Sequence, residues 1–203
     1  EHLEKPKTHI MVNIGSHNEA YEASFLPNDG VGLAREEFII ASHIKIHPQA
    51  LINFEKLDDE VLKNKIDKLT KGYKDKIDFY TQKLASGIAQ IGAAFYPNPV
   101  IVRFSDFKTN EYATLLGGKA FEPKEENPMI GWRGSSRYYD SRFSEAFGLE
   151  CQAIKIVREE WGLENVIVMV PFCRTPQEGE KVLETMAKYG LRKGQAGLKI
   201  YMM

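Results

Sequence analysis

Cysteine is nearly absent, with only Cys151 and Cys173 in 203 residues. Two thiols cannot make the disulfide framework of a small secreted domain. No charge sign dominates either. Lys and Arg number 27 against 28 Asp and Glu, a formal net charge of −1. No global basic field exists to draw in nucleic acid, so any anion site has to be made locally. No apolar run nears the ~20 residues that span a bilayer. The first residues, Glu-His-Leu-Glu-Lys-Pro-Lys, lack the apolar core of a secretory signal. With 43% apolar and 27% charged residues, the expectation is one globular domain in a reducing cytoplasm, with no nucleic-acid or membrane partner.

The sequence does contain an alternation of strand-like and helix-like segments. His9–Ile14, Val31–Ala34, Val100–Phe104, Met129–Trp132, Val166–Val170 and Leu198–Met203 read as strands. Asn18–Phe25 and Asn110–Leu116 read as short helices. Val61, Leu62, Ile66, Leu69 and Tyr73 keep near-helical spacing, as do Ile77, Tyr80, Leu84, Ile88 and Ile91. The stretch from Phe38 to Tyr96 is thus two helices or more, a long helical insertion after the second strand, stopped by Pro97-Asn98-Pro99. Asp140 or Ser141 is a candidate cap for a helix running to about Trp161. Thr175-Pro176, with Glu178 three residues after the Thr, has a capping-box pattern. About six strands, each but the last followed by helix, predict an α/β protein: a partial TIM (β/α)8 barrel containing about the first six strands. The chain stops on Met203 within an apolar run, which suggests a piece of a larger barrel.

Three arginines follow strand-like runs directly: Arg35, Arg103 and Arg133. On parallel strands of one barrel their guanidiniums would share a mouth. The planar guanidinium fork suits carboxylate and phosphate oxygens better than an ammonium does. This pattern points to a small phosphorylated acid as ligand. Asp106 and Glu37 lie near these arginines and are candidates to orient them by accepting their hydrogen bonds. An isolated arginine at a strand end is more often a rim ion-pair partner; three in succession favour a site.

The residues also carry a resemblance. Leu26-Pro27-Asn28-Asp29-Gly30-Val31-Gly32-Leu33-Ala34-Arg35, Glu37-Phe38-Ile39-Ile40, Val102–Ala113 and Glu125–Gly134 resemble the phosphoenolpyruvate synthase family over nearly the whole chain. Pyruvate phosphate dikinase and enzyme I of the sugar phosphotransferase system share the arginine and Asn-Pro signatures less closely. The resemblance implies a pyruvate, water dikinase that turns ATP, pyruvate and water into phosphoenolpyruvate, AMP and phosphate through a phosphohistidine. It makes residues 1–203 the first part of the phosphoenolpyruvate/pyruvate-binding barrel domain, with the ATP-binding and phosphohistidine domains outside this chain. It assigns Arg35, Arg103 and Arg133 to substrate, places no catalytic residue here, and puts the Mg²⁺ ligands beyond Met203. The full-length protein is expected to be a homo-oligomer, and this segment alone to be inactive. The alternatives are another phosphoenolpyruvate-using phosphotransferase of the same superfamily, or a non-catalytic barrel scaffold for oligomer assembly.

Other signals carry less. His43 and His47 are four apart, but Pro48 disfavours helix at His47 and no third ligand is evident, so a structural role is expected. Gly117-Gly118-Lys119 lacks the rest of a phosphate-binding loop and reads as helix termination. Glu125-Glu126 reads as a solvated loop with a positioning role. Cys173 has no evident activator. Arg174 is open between the mouth and a rim pair.

Overall fold

The structure, a computed structural model, describes residues 6–203. The described residues form one parallel sheet of five strands: β1 (Val12–Ile14), β2 (Val31–Arg35), β3 (Val100–Arg103), β4 (Val166–Val170) and β5 (Ile200–Met202). They lie side by side in chain order, every neighbouring pair parallel. A doubly wound sheet reverses its order partway, whereas this succession is that of a barrel wall and is compatible with a partial barrel.

Helices fill the connections. α1 (Ala20–Ala23) links β1 to β2. Between β2 and β3 come α2 (Glu36–Ile39), continued by a wider turn over Ile40–Ile44, then α3 (Pro48–Ile52), α4 (Glu60–Thr70) and α5 (Lys76–Phe95). After β3 come α6 (Thr109–Tyr112), α7 (Ser135–Tyr138) and α8 (Ser144–Lys155), which runs on through a wider turn over Ile156–Glu160. α9 (Pro176–Lys188) joins β4 to β5.

These elements follow from the sequence. β3 is buried along its length and β4 at all positions but Met169, as expected of β-branched runs covered on both faces. Along α5, Tyr80, Leu84, Ile88 and Ile91 form a buried stripe. α4 keeps the same spacing yet buries only Ile66 of its apolar stripe, leaving Val61 and Leu69 exposed; it lies at the periphery. Thr175 caps α9 as its pattern predicts, its hydroxyl accepting from the Glu178 N–H at 3.2 Å.

Two expectations are corrected. Met129–Trp132 is not a strand, so the described residues hold five strands. The segment follows Pro128 and is broken by Gly131, and Met129 and Ile130 are 57% and 75% exposed. Its backbone groups bond to side chains instead of a ladder: the Trp132 N–H donates to Glu125, and Arg174 donates to the Ile130 and Gly131 carbonyls. The helix expected to start at Asp140 or Ser141 starts at Ser144. The Asp140 carboxylate is taken by the Arg142 guanidinium and N–H.

The loop after Trp132 turns sharply at Gly134, whose φ is +59° and where a Cβ would lie 2.3 Å from the Pro171 carbonyl oxygen. Gly134→Ala therefore meets both backbone strain and rigid backbone atoms. It is expected to destabilise the fold by about 2 kcal/mol or more, read as a lowered denaturation midpoint.

Candidate functional site

β2 and β3 pair so that Arg35 lies directly beside Arg103 at the carboxyl ends of the two strands. Two like charges side by side repel, and two carboxylates compensate that of Arg103. Glu37, on the first turn of α2, accepts from Arg103 Nη2 at 2.5 Å. Asp106, on the turn after β3, lies 3.4 Å from Arg103 Nη1 and accepts from Arg133 Nε at 2.9 Å. Asp106 thus joins an arginine on a strand to one on a loop. Arg133 also donates to the Asp106 and Met129 carbonyls, and its guanidinium stacks 4.2 Å over the Phe172 ring.

The five residues predicted from sequence therefore meet. Arg35, Glu37, Asp106 and Arg133 line one pocket of about 490 Å³, together with Phe38, Lys108 and Met129. Arg103 sits behind its floor, 9% exposed. Arg35 differs from the other two. It is exposed, stacks over Phe38 at 4.5 Å and makes no ion pair among the described residues. Burial pushes the Glu37 carboxyl above its ordinary pKa, opposed by the Arg103 charge. Arg103 Nε and Glu37 Oε2 are buried without a partner among the described residues, which leaves hydrogen-bonding capacity at the pocket floor.

A buried network fixes the loop that carries Arg133. Arg137 donates both Nη atoms to Glu122 at 2.7 Å and a further bond to the Trp132 carbonyl. Its guanidinium stacks against Tyr112, Trp132 and Phe143. His47 Nδ1 accepts from the Gln49 N–H, so Nε2 carries the proton and donates to Glu122 at 2.8 Å. Both ring nitrogens are engaged and the ring is buried, so His47 is a structural residue. His43 packs against the His17 ring instead. Glu125 accepts from the Thr109 hydroxyl and the Trp132 N–H, a positioning role. Arg174 pins the 130–131 backbone and lies 3.7 Å from Glu178. Cys173 is half-buried beside Thr175, away from the arginine pocket. Gly117, with φ +81°, lies beyond the end of α6 and opens a short helical turn over Gly118–Ala120, so Gly117-Gly118-Lys119 starts a turn and does not end a helix.

Against this geometry, comparison with known proteins is decisive. The family model described as "PEP-utilising enzyme, PEP-binding domain" matches residues 2–203. The chain belongs to that family. It is 61% identical over 202 residues to a phosphoenolpyruvate synthase of Synechocystis sp., covering 99% of this chain and 25% of the relative. It is 52% identical over 248 residues to that of Aquifex aeolicus, covering 100% and 29%. Against the Escherichia coli protein of the same name it is 50% identical over 194 residues, covering 96% and 24%. The chain thus spans about a quarter of the length of these relatives. Among the described residues of this PEP-binding domain, no group of three or more His, Cys, Asp or Glu is placed to hold a metal ion. Glu37 and Asp106 are turned to arginines. No described helix is long and apolar enough to cross a membrane.

Sequence reasoning missed Glu122, Arg137, Ser105, Glu36 and Glu150, all of which lie around or beneath the clamp. One signal was available. On α8, Ala146, Glu150, Ala153 and Val157 fall on one buried stripe, so a carboxyl there interrupts an apolar face.

The Arg137–Glu122 pair has no exposure beyond 1% on either side chain. Glu122→Ala leaves a buried guanidinium unpaired and is expected to cost about 3–5 kcal/mol in chemical denaturation. Burial would raise the Glu122 pKa, but hydrogen bonds from Arg137 and His47 outweigh it and hold the carboxyl below its ordinary value. The stability it contributes is full above its unfolded value, near pH 4.5, and is lost as pH falls below. Glu122→Gln is expected to flatten that acid limb of the thermal midpoint.

Proposed function

We propose that this segment binds the carboxylate and phosphate of phosphoenolpyruvate, and the carboxylate of pyruvate, through Arg35, Arg103 and Arg133. The observation that carries the proposal is that Arg35 and Arg133, from different segments, line one pocket, and that Arg103 is tied to its lining through Glu37 and Asp106. Asp106 bridges Arg103 and Arg133, and with Glu37 it fixes the direction of their side chains. Arg35, with no carboxylate partner among the described residues, supplies the charge that a ligand anion neutralises. Arginine stays protonated, so the three residues bind and orient and do not act as bases.

The full-length protein is proposed to be a pyruvate, water dikinase, a reading supported by relatives named phosphoenolpyruvate synthase. Phosphoryl transfer depends on positioning and on neutralising charge around the moving group, and the arginine clamp offers both at the acceptor. A nucleotide-binding domain, a phosphohistidine and the ligands of a Mg²⁺ ion would come from chain outside these 203 residues. When bound, that ion would stabilise the enolate of pyruvate. The segment alone is then a binding domain without turnover.

Arg35 is exposed, so its loss tests binding with little effect on folding. In the full-length protein, Arg35→Ala is expected to weaken phosphoenolpyruvate binding about tenfold or more with an unchanged thermal midpoint. Arg103→Lys removes the planar fork and is expected to weaken it at least as much. Calorimetric titration with phosphoenolpyruvate reads both. Unchanged affinity in the two variants removes the arginines from the site. Conversion of ATP and pyruvate by the purified 203-residue segment would refute its inactivity.

A further inference from the structure

Directly beneath the clamp lies a second polar cluster that the binding role does not use. Glu36 and Glu37 are consecutive on the first turn of α2, so their side chains diverge by about 100°. Glu37 turns to Arg103; Glu36 turns inward and is 0% exposed. Among the described residues its two carboxyl oxygens find no N–H and no hydroxyl donor. Its neighbour is the carboxyl of Glu150 on α8, also 0% exposed and within hydrogen-bonding reach. Two carboxyl groups can bond only if one of them holds a proton.

The donors around Glu150 decide which one. Its Oε2 accepts from the Ser105 N–H at 3.0 Å and its Oε1 from the Ser105 hydroxyl at 2.5 Å. The Tyr112 hydroxyl donates in turn to Ser105 Oγ at 2.5 Å, and the Tyr138 hydroxyl donates to the Ser105 carbonyl. Glu150 is therefore built to accept, with two donors already in place. Glu36 has none and is the natural donor. The chain of bonds runs from Tyr112 through Ser105 to Glu150, where Glu36 meets it from the other side. Every polar group of Ser105 is used, and Ser105 stands between Arg103 and Asp106.

We propose that Glu36 and Glu150 hold a single proton between them, and that this acid pair is a positioning device that sets the Ser105 turn on which Arg103 and Asp106 are mounted. The second half rests on the binding role given to the arginines. Loss of the proton places two negative charges in an apolar wall, where they repel and draw Glu150 off Ser105. The other titratable groups facing the pair are Glu37 on α2, Tyr80 on α5, Tyr112 on α6, Tyr138 on α7 and Cys151 on α8. Burial keeps the three phenols and the thiol neutral, so none supplies a compensating charge. Burial and the Glu150 charge also push Glu36 well above its ordinary value, while burial takes Glu150 to about 7. A raised folded-state pKa gives stability that is present near pH 4.5 and is lost as pH rises through the folded value.

The test uses the full-length protein and its Glu36→Gln variant, whose amide keeps the bond to Glu150 without a titrating proton. Infrared spectroscopy at neutral pH is expected to show the carbonyl band of a protonated carboxylic acid in the wild type and to lose it in Glu36→Gln. The wild-type thermal midpoint is expected to fall between about pH 5 and about pH 8, more steeply than that of the variant. The ratio of wild-type to variant affinity for phosphoenolpyruvate is expected to fall several-fold over the upper half of that range; taking the ratio cancels the ligand's own titration. Absence of the band, its persistence in Glu36→Gln, or equal pH slopes of the midpoint overturn the shared proton. A flat affinity ratio overturns its link to the clamp. No binding of phosphoenolpyruvate at any pH overturns the binding role instead, and the band and slopes still judge the pair. Should Glu36→Gln not fold, wild-type protein with carboxyl-¹³C glutamate answers for the proton: the band must shift with the label.

Discussion

The site depends on the carboxylate of Asp106. Arg35 and Arg103 are forced side by side by the register of two parallel strands, and Arg133 arrives from a loop with no strand to hold it. Three guanidiniums at one rim would repel and splay into solvent. Asp106, 6% exposed, takes one oxygen to Arg133 and the other to Arg103. Such a bridge is stronger than a surface ion pair because its members are largely withdrawn from water. It also fixes the loop, since a bond to Nε with a second one from Nη2 to the Asp106 carbonyl sets the plane of the Arg133 guanidinium as well as its position.

Everything around Asp106 limits how far that bridge can move. Above it, the loop from 122 to 137 is held at both ends by charge-assisted bonds. Arg137 grips Glu122, and Glu125 grips Trp132. Gly134 allows the chain to turn against the Pro171 carbonyl, to which Ser135 donates its N–H. Below it, Ser105 is bonded through all of its polar groups to α6, α7 and α8. The residue that carries the bridge thus has a fixed neighbour on each side, and preorganisation of this kind lowers the cost of ordering side chains when an anion binds.

Much of this was legible in the sequence. The strands that are β-branched and buried on both faces, Val100–Arg103 and Val166–Val170, declare themselves by composition, as does the helical stripe of α5. Arg35 and Arg103 could be placed at strand ends for the same reason. Met129–Trp132 misled because an apolar run resembles a strand whether or not a ladder exists to receive it; here two of its four side chains face solvent. Arg133 reached the predicted site by a different route, through its bond to Asp106. The inner network was illegible for a reason of scale. Glu122, Arg137 and His47 lie 75 and 15 residues apart in their pairings, and no local period relates them. Glu36 and Glu37 look alike as a dipeptide; only the packing of α2 against the sheet separates the one that meets an arginine from the one that enters the core.

That separation bears on how a chain of almost zero net charge holds a doubly anionic ligand. Around the pocket, Arg35, Arg103, Arg133 and Lys108 stand against Glu37, Asp106 and Glu111. The local excess of one positive charge is carried by Arg35, the member without an ion pair among the described residues. Had Glu36 also faced the pocket, that excess would be gone, and an incoming phosphate would have to displace a carboxylate before binding. Burying Glu36 against Glu150 keeps it off the rim, and the one proton between them leaves the pair a single negative charge, held in the core on Glu150. The acidity of the α2 first turn is thereby divided: one carboxylate orients Arg103, the other is silenced, and the field at the mouth stays positive.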